Sequence, residues 1–306
     1  MKNGLLIYNP KAGSHSEELL QTLTRNLPSA QPVPVEELGD VAERAKEHAW
    51  VAVAGGDGTI ESIAAALIGI NIPLGVIPAG TYNNFARSLG IPIDPGEACE
   101  VIKTGRPSPI DVGFANGKPF FECLGSGLDA ALYPLGEKIK SGRLLLWFDL
   151  LRKAYRYPRQ RFTLTLDRPI CDALAHGTTN ESHGLVHALK KKHGHEILLS
   201  ALMLTVSNGP YFGMNFHVAP GQRIDDGLLT ATVFSRYSKL QLWWHFLSIA
   251  FGRREYCPKT IAFRVRKLQV SAPHPRPVHL DGTPEKGLWP LDIECQKGAI
   301  SIFRKP

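Results

Sequence analysis

Through its first 125 residues the chain alternates short apolar runs with stretches of helical period, and few architectures accommodate that rhythm. Gly4 to Tyr8 reads as a buried strand, and Glu17 to Leu27 places Leu19, Leu20, Leu23 and Leu27 on one helical face. A weak strand at Val33 to Val35 and a helix at Val41 to His48 repeat the unit. Trp50 to Ala54 with Ile60 to Ile68, and Leu74 to Ile77 with Asn83 to Leu89, repeat it twice more. Gly90 and Pro92 stop the last helix. Strands that alternate with helices predict a parallel sheet covered on both faces.

The rhythm changes after residue 125. Arg161 to Leu166, Ile197 to Ser207, Leu228 to Phe234, Thr260 to Val265, Lys267 to Ser271 and Ala299 to Arg304 carry the β-branched and aromatic residues of strands. Helices are expected at Arg143 to Tyr157 and at Lys239 to Arg253, both rich in Leu, Trp and Phe with cations toward their ends. Residues 168–196 hold five of the eleven histidines and Lys190-Lys191-Lys192, which predicts a long mobile loop. The expected fold class is α/β: a parallel-sheet nucleotide-binding domain over residues 1–125 and a β-rich domain over 126–306, with the last strand returning to the first domain.

Composition narrows the classes. Hydrophobic residues at 43% and charged residues at 21% exclude a disordered chain. A net charge of +7 favours anionic ligands, yet the cations are spread too evenly for a nucleic-acid arm. The five cysteines, Cys99, Cys123, Cys171, Cys257 and Cys295, form no Cys-x-x-Cys pair, which fits a reducing cytoplasm. The longest apolar stretch, Ile63 to Gly80, contains Asn71, Pro73 and Pro78 and reads as a helix followed by a strand, not a membrane span.

Chemistry concentrates where strands meet helices. Gly55-Gly56-Asp57-Gly58-Thr59 lies directly between a strand and a helix, so its bare amides and the helix dipole suit a phosphate chain. Asp57 would repel that phosphate unless a divalent cation lies between them, which points to Mg²⁺ with a nucleotide. The alternative is an Asp-Gly turn with Thr59 capping the helix. Asn9-Pro10-Lys11-Ala12-Gly13 and Pro78-Ala79-Gly80-Thr81-Tyr82-Asn83-Asn84 follow two other strands, so all three loops are expected at one sheet edge. No P-loop run and no Gly-x-Gly-x-x-Gly at the first helix occurs.

Together with Gly125-Ser126-Gly127-Leu128-Asp129-Ala130, Asn208-Gly209-Pro210-Tyr211-Phe212-Gly213, Asp225-Asp226-Gly227-Leu228-Leu229 and Asp281-Gly282-Thr283-Pro284, these loops resemble the diacylglycerol kinase catalytic-domain family, which includes bacterial lipid kinases and sphingosine kinases. The resemblance implies transfer of the ATP γ-phosphoryl group to a lipid hydroxyl, with Mg²⁺. It implies that Gly55, Gly56, Asp57, Gly58, Thr59, Glu61 and Thr81 hold the nucleotide, with Asn9 and Asn84 supporting the loops and Asp57 facing the phosphates and Mg²⁺. Asp281 is the implied general base, with Thr283 standing where many relatives have Glu. Asp226, with carbonyl oxygens of Arg223 and Leu228, matches a second cation position. The implied partner is a lipid in a membrane surface, reached by peripheral contact from the cytoplasm. Monomer and homodimer both stay open. Two rivals are an NAD kinase and a lipid-binding protein without catalysis.

Overall fold

In the computed structural model, residues 3–11, 17–140, 146–175, 183–213, 216–234, 241 and 260–305 are described. The first part of the chain runs β1 (Gly4–Tyr8), α1 (Glu17–Asn26), β2 (Ala30–Pro34), α2 (Val41–Lys46), β3 (Trp50–Gly55), α3 (Asp57–Ala66), β4 (Leu74–Pro78), α4 (Asn84–Ser88) and α5 (Pro95–Thr104). All six residues of β3 are buried, as expected of a strand covered on both faces. Local signals set the helix starts. The Asp40 carboxylate accepts the amides of Ala42 and Glu43 to cap α2, and Asp94 caps α5 with Pro95 behind it.

The chain continues through β5 (Arg106–Ala115), β6 (Lys118–Phe120), β7 (Cys123–Gly127), α6 (Leu128–Lys140), α7 (Leu146–Arg156), β8 (Gln160–Leu166), α8 (Ile170–Ala173), α9 (His183–Lys190), β9 (Glu196–Ala201) and β10 (Met203–Ser207). It closes with β11 (Tyr211–Phe212), β12 (Phe216–His217), β13 (Leu229–Phe234), β14 (Thr260–Val265), β15 (Lys267–Ser271), β16 (Val278–Leu280), β17 (Thr283–Glu285) and β18 (Leu291–Arg304).

Strands β2, β1, β3 and β4 pair in that order, all parallel. The long β18 then joins this sheet beside β4, with Ile302 opposite Leu74, and pairs antiparallel with β5 and β15. Strands β8 and β9 extend the same sheet. A second sheet is antiparallel, in the order β14, β13, β10, β7, β16, β17. One buried cluster lies under the parallel strands and a second lies around the β-rich half.

Three expectations change in detail. A boundary after residue 125 falls inside β7, every residue of which pairs with β10 in the second sheet. The run Ile197 to Ser207 is two strands, because the chain breaks at Leu202: β9 pairs with β8 in the first sheet and β10 with β7 in the second. Residues 168–196 are not a loop throughout. Ile170, Ala173 and Leu189 are buried in the second cluster and draw α8 and α9 onto it, while residues 176–182 lie outside the described residues. Of the helix expected at Lys239 to Arg253, all but Gln241 lies outside them as well. Helix α7 forms nearly where expected and is amphipathic: Leu150 and Ala154 are buried, whereas Phe148 is 74% exposed and Tyr155 47%. Among the described residues no helix is long and apolar enough to cross a membrane.

Candidate active site

Strand β1 lies between β2 and β3, so the order of the parallel strands reverses there and the loops after β1 and β3 open at the crevice. Asn9 ties these loops together. Its Nδ2 donates to Thr59 Oγ1 at 3.0 Å, its backbone amide to the Ala54 carbonyl at 3.1 Å, and its Oδ1 accepts the Lys11 amide at 2.9 Å. Helix α3 starts three residues earlier than its apolar pattern suggests, at Asp57, with Gly56 in the cap position. Gly58 and Thr59 therefore belong to a first helical turn, in which the Thr59 amide already donates to the Gly56 carbonyl at 3.0 Å and the amides before it have no carbonyl partner within the helix.

The loop after β4 presses on this turn. A Cβ on Gly80 would stand 2.5 Å from the Gly56 Cα, so the two loops touch backbone to backbone and Gly80 has no substitute. Asn83 holds the contact from a left-handed conformation (φ 54°): its Oδ1 accepts the Gly80 amide at 2.9 Å and its Nδ2 donates to the Gly80 carbonyl at 3.0 Å. Thr81 follows, exposed, on the rim. Asp57 also has a structural task. Its Oδ1 accepts the Phe85 amide at 3.2 Å and so caps α4; burial raises its pKa, and the amides of residues 83–85 oppose that rise.

Below these loops lies a cavity of about 830 Å³ lined by four carboxylates, Asp57, Glu61, Glu122 and Asp281. Its described lining contains no Lys, Arg or His. Glu61 sits one helical turn after Asp57, and Glu122 enters from the segment before β7. Both are buried, and they hydrogen-bond to each other. Burial first, then the neighbouring carboxylates, push both groups well above the usual carboxylate range. Asn84 crosses the cleft. Its Nδ2 donates to the Gly213 carbonyl at 2.8 Å and to Glu122 Oε2 at 3.3 Å. Glu61 Oε1, Glu122 Oε1 and Asn84 Oδ1 are buried oxygens without a hydrogen-bond donor.

Asp281 stands across the cavity in the turn between β16 and β17, with φ 46°. Its Oδ2 accepts the Phe121 amide at 2.7 Å, and its Oδ1 accepts those of Glu122 at 2.9 Å and Cys123 at 2.8 Å. Burial pushes the carboxyl up and the three amides pull it back. The next residue is fixed as firmly. The Gly282 amide donates to His279 Nδ1 at 3.3 Å, and a Cβ there would stand 2.1 Å from the Tyr133 hydroxyl. His279 is wholly buried against Phe212, ring centroids 5.1 Å apart. Thr283 is exposed on the cavity wall.

Whether these groups suit divalent cations differs between the two positions. Mg²⁺ that arrives with a nucleotide asks for one or two carboxylates plus phosphate oxygens, and Asp57, on the cavity wall at the first turn of α3, offers one such carboxylate. The position expected at Arg223, Asp226 and Leu228 does not fit a cation. Gln222 Nε2 donates to the Arg223 carbonyl at 2.6 Å and to the Leu228 carbonyl at 2.7 Å. Carbonyls only accept, so the nitrogen is fixed by its partners, and Thr230 Oγ1 donates to Gln222 Oε1 at 2.6 Å on the other side. Asp226 is taken as well: Arg264 pairs with its Oδ2, and the Leu228 amide donates to its Oδ1 at 3.1 Å. An amide and a guanidinium stand where the resemblance implied a metal.

The structure thus brings Asn9, Gly55 to Glu61, Thr81, Asn84 and Asp281 into one cleft and leaves Arg223, Asp226 and Leu228 outside it. Sequence reading missed Glu122, Tyr133 and Phe212 as cavity residues, and Gln222 as the filler of the second position. A carboxylate inside the apolar run Phe120-Phe121-Glu122-Cys123 was the available signal for the first.

Comparison with known proteins gives this cleft its context. Residues 3–115 match the family model described as the diacylglycerol kinase catalytic domain, and residues 182–304 match a YegS C-terminal NAD kinase beta sandwich-like domain. An uncharacterized protein of Synechocystis sp. is 32% identical over 330 aligned positions, covering 99% of this chain and 70% of that protein. A protein of Serratia proteamaculans named probable lipid kinase YegS-like is 29% identical, covering 95% of this chain and 93% of its own length. A diacylglycerol kinase of Bacillus subtilis is 37% identical over 155 positions, 46% of this chain and 51% of that protein. The crystal structure of a diacylglycerol kinase from Bacillus anthracis shares the fold, with a TM-score of 0.70 at 22% identity over 99% of this chain and 97% of that one. These matches place the chain in the diacylglycerol kinase catalytic-domain family of lipid kinases.

Proposed function

We propose that the protein transfers the γ-phosphoryl group of ATP to the hydroxyl of a diacylglycerol-like lipid at a membrane surface. The observation that carries this reading is the cavity. On one side stand the first turn of α3 and the Gly80 to Asn84 loop, which suit phosphate. On the other stand carboxylates, which suit a hydroxyl proton. Asn9 and Asn83 brace the loops, and the first-turn amides of α3 orient the phosphates. A divalent cation held by Asp57 would supply positive charge between the phosphates and the acidic wall. Gly282, packed against Tyr133, closes one wall of the space in which the lipid headgroup would lie.

Contact with the membrane is part of the proposal. Helix α7 exposes Phe148 and Tyr155 beside Arg152 and Arg156, an apolar and cationic face that suits an anionic interface. The test is incubation with γ-labelled ATP and Mg²⁺ in three arms: vesicles of a total lipid extract with and without anionic lipid, and NAD alone. Label in a lipid, greater on anionic vesicles, is the expected result. Label in NAD, or no ATP turnover in any arm, rejects the reading.

A further inference from the structure

The Glu61–Glu122 pair is the feature the fold explains least. Two buried carboxyl groups in hydrogen-bond contact cannot both ionise, so they hold one proton between them. Glu122 Oε2 also meets Asn84 Nδ2, while its Oε1 has no donor. An apolar pair would pack such a site at no electrostatic cost, so the carboxylates call for a chemical reason.

The other acids in the cavity are committed elsewhere. Asp281 has three of its roughly four lone-pair positions filled by backbone amides. Asp57 caps α4. Thr283 offers a hydroxyl, far too weak a base at neutral pH. The segment that Asp281 clamps is the one that carries Glu122, so the clamp fixes where Glu122 stands.

Resting on the lipid-kinase reading above, we infer that Glu122 is the base that accepts the proton of the attacking hydroxyl, with Glu61 and Asp281 as positioning residues. In the step, the acceptor O–H bond breaks and its proton passes to Glu122. The freed oxygen bonds to the γ-phosphorus, and the bridging P–O bond breaks with its electron pair leaving on ADP. Glu122 then returns the proton to solvent. The titratable groups around it are Glu61 and Asp57 on α3 and Asp281 on the β16–β17 turn. All are acids, and their charge raises the proton affinity of a carboxylate among them.

The test uses the full chain with MgATP and lipid vesicles, measuring turnover against pH, nucleotide binding and cooperative melting. Glu122→Gln should bind nucleotide within about twofold of wild type yet turn over about 100-fold more slowly, without the wild type's acid limb. Glu122→Asp should restore part of the rate together with that limb. An active wild type whose Glu122→Gln variant keeps turnover within about threefold and the same pH profile overturns this inference alone. A wild type inert toward every lipid overturns the functional reading and this inference with it.

Discussion

Replacing Asp281 should be a structural injury first. Its carboxylate gathers the amides of Phe121, Glu122 and Cys123 at 2.7, 2.9 and 2.8 Å, and hydrogen bonds to a charged group contribute about 1.5–3 kcal/mol each. In Asp281→Asn the Oδ1 can keep two of these as neutral bonds, but the new Nδ2 faces the Phe121 amide, donor against donor. The expected loss is about 2 kcal/mol. Asn tolerates the left-handed φ of 46°, so the backbone adds nothing. Asp281→Ala forfeits all three bonds and adds about 1 kcal/mol of strain at that φ, for a loss of more than about 5 kcal/mol.

Urea unfolding of the three proteins, with amide hydrogen exchange read at residues 121–123, checks the ranking. The Asn variant should exchange fastest at Phe121 and the Ala variant at all three positions. If both variants unfold within about 0.5 kcal/mol of wild type, the clamp contributes nothing and the argument fails. The two-bond asymmetry also means that Asp281→Asn cannot serve as a clean probe of basicity, since it moves the segment that carries Glu122.

Gly80→Ala should abolish nucleotide binding, because its methyl would stand 2.5 Å from the Gly56 Cα, whereas Gly56→Ala, at 3.4 Å from the Gly80 Cα, should weaken it only modestly; equal affinities in a titration with ATP refute the contact. Gln222→Ala should lower stability by about 2–3 kcal/mol by orphaning the Arg223 and Leu228 carbonyls, while EDTA leaves the wild-type melting point unchanged. A melting point that drops with EDTA and recovers with Mg²⁺ contradicts the assignment of that position to the amide. Glu61 and Glu122 share a proton in the folded state that the unfolded chain releases above its value near 4.5. Their stabilisation is therefore full below that pH and fades as pH rises through the raised folded range. Melting points from about pH 5 to about pH 8 should fall, and fall less in Glu122→Gln; a flat wild-type profile rejects the shared proton.

How far the sequence could be read depended on whether a property was local. The strand–helix alternation and the Gly55 to Thr59 junction are local, so the parallel sheet and the glycine turn that opens α3 were legible. The break at Leu202 was not, because Ile197 to Ser207 holds no Gly, Pro or charged residue to mark it and only the partners, β8 on one side and β7 on the other, divide it. The start of α3 at Asp57 was hidden by three non-apolar positions that periodicity does not see. Residues 168–196 read as a loop because the few apolar anchors, Ile170, Ala173 and Leu189, are separated by histidine-rich sequence. At the site, Asp57 and Asp281 announce themselves beside glycines. Glu122 acquires its meaning only when the turn after β16 folds against it, 159 residues away.

That long-range contact is one of several that make the cleft a single piece, and they share a pattern. Asp57 on α3 caps α4, Phe85 on α4 packs edge-on against Phe121 with centroids 5.4 Å apart, and Asn84 reaches Glu122 and Gly213. Asp281 then holds Phe121 to Cys123 from the second sheet. The chain of contacts runs from the first turn of α3 to the far wall through α4 and the 121–123 segment. None of it passes through the Arg223–Leu228 turn. A displacement of α4 when a nucleotide meets Asp57 would therefore be felt first at Asn84 and Glu122, so that ligand on one wall adjusts the carboxylate on the other. The turn filled by Gln222 and Arg264 lies off that path and is free to be held by protein groups alone.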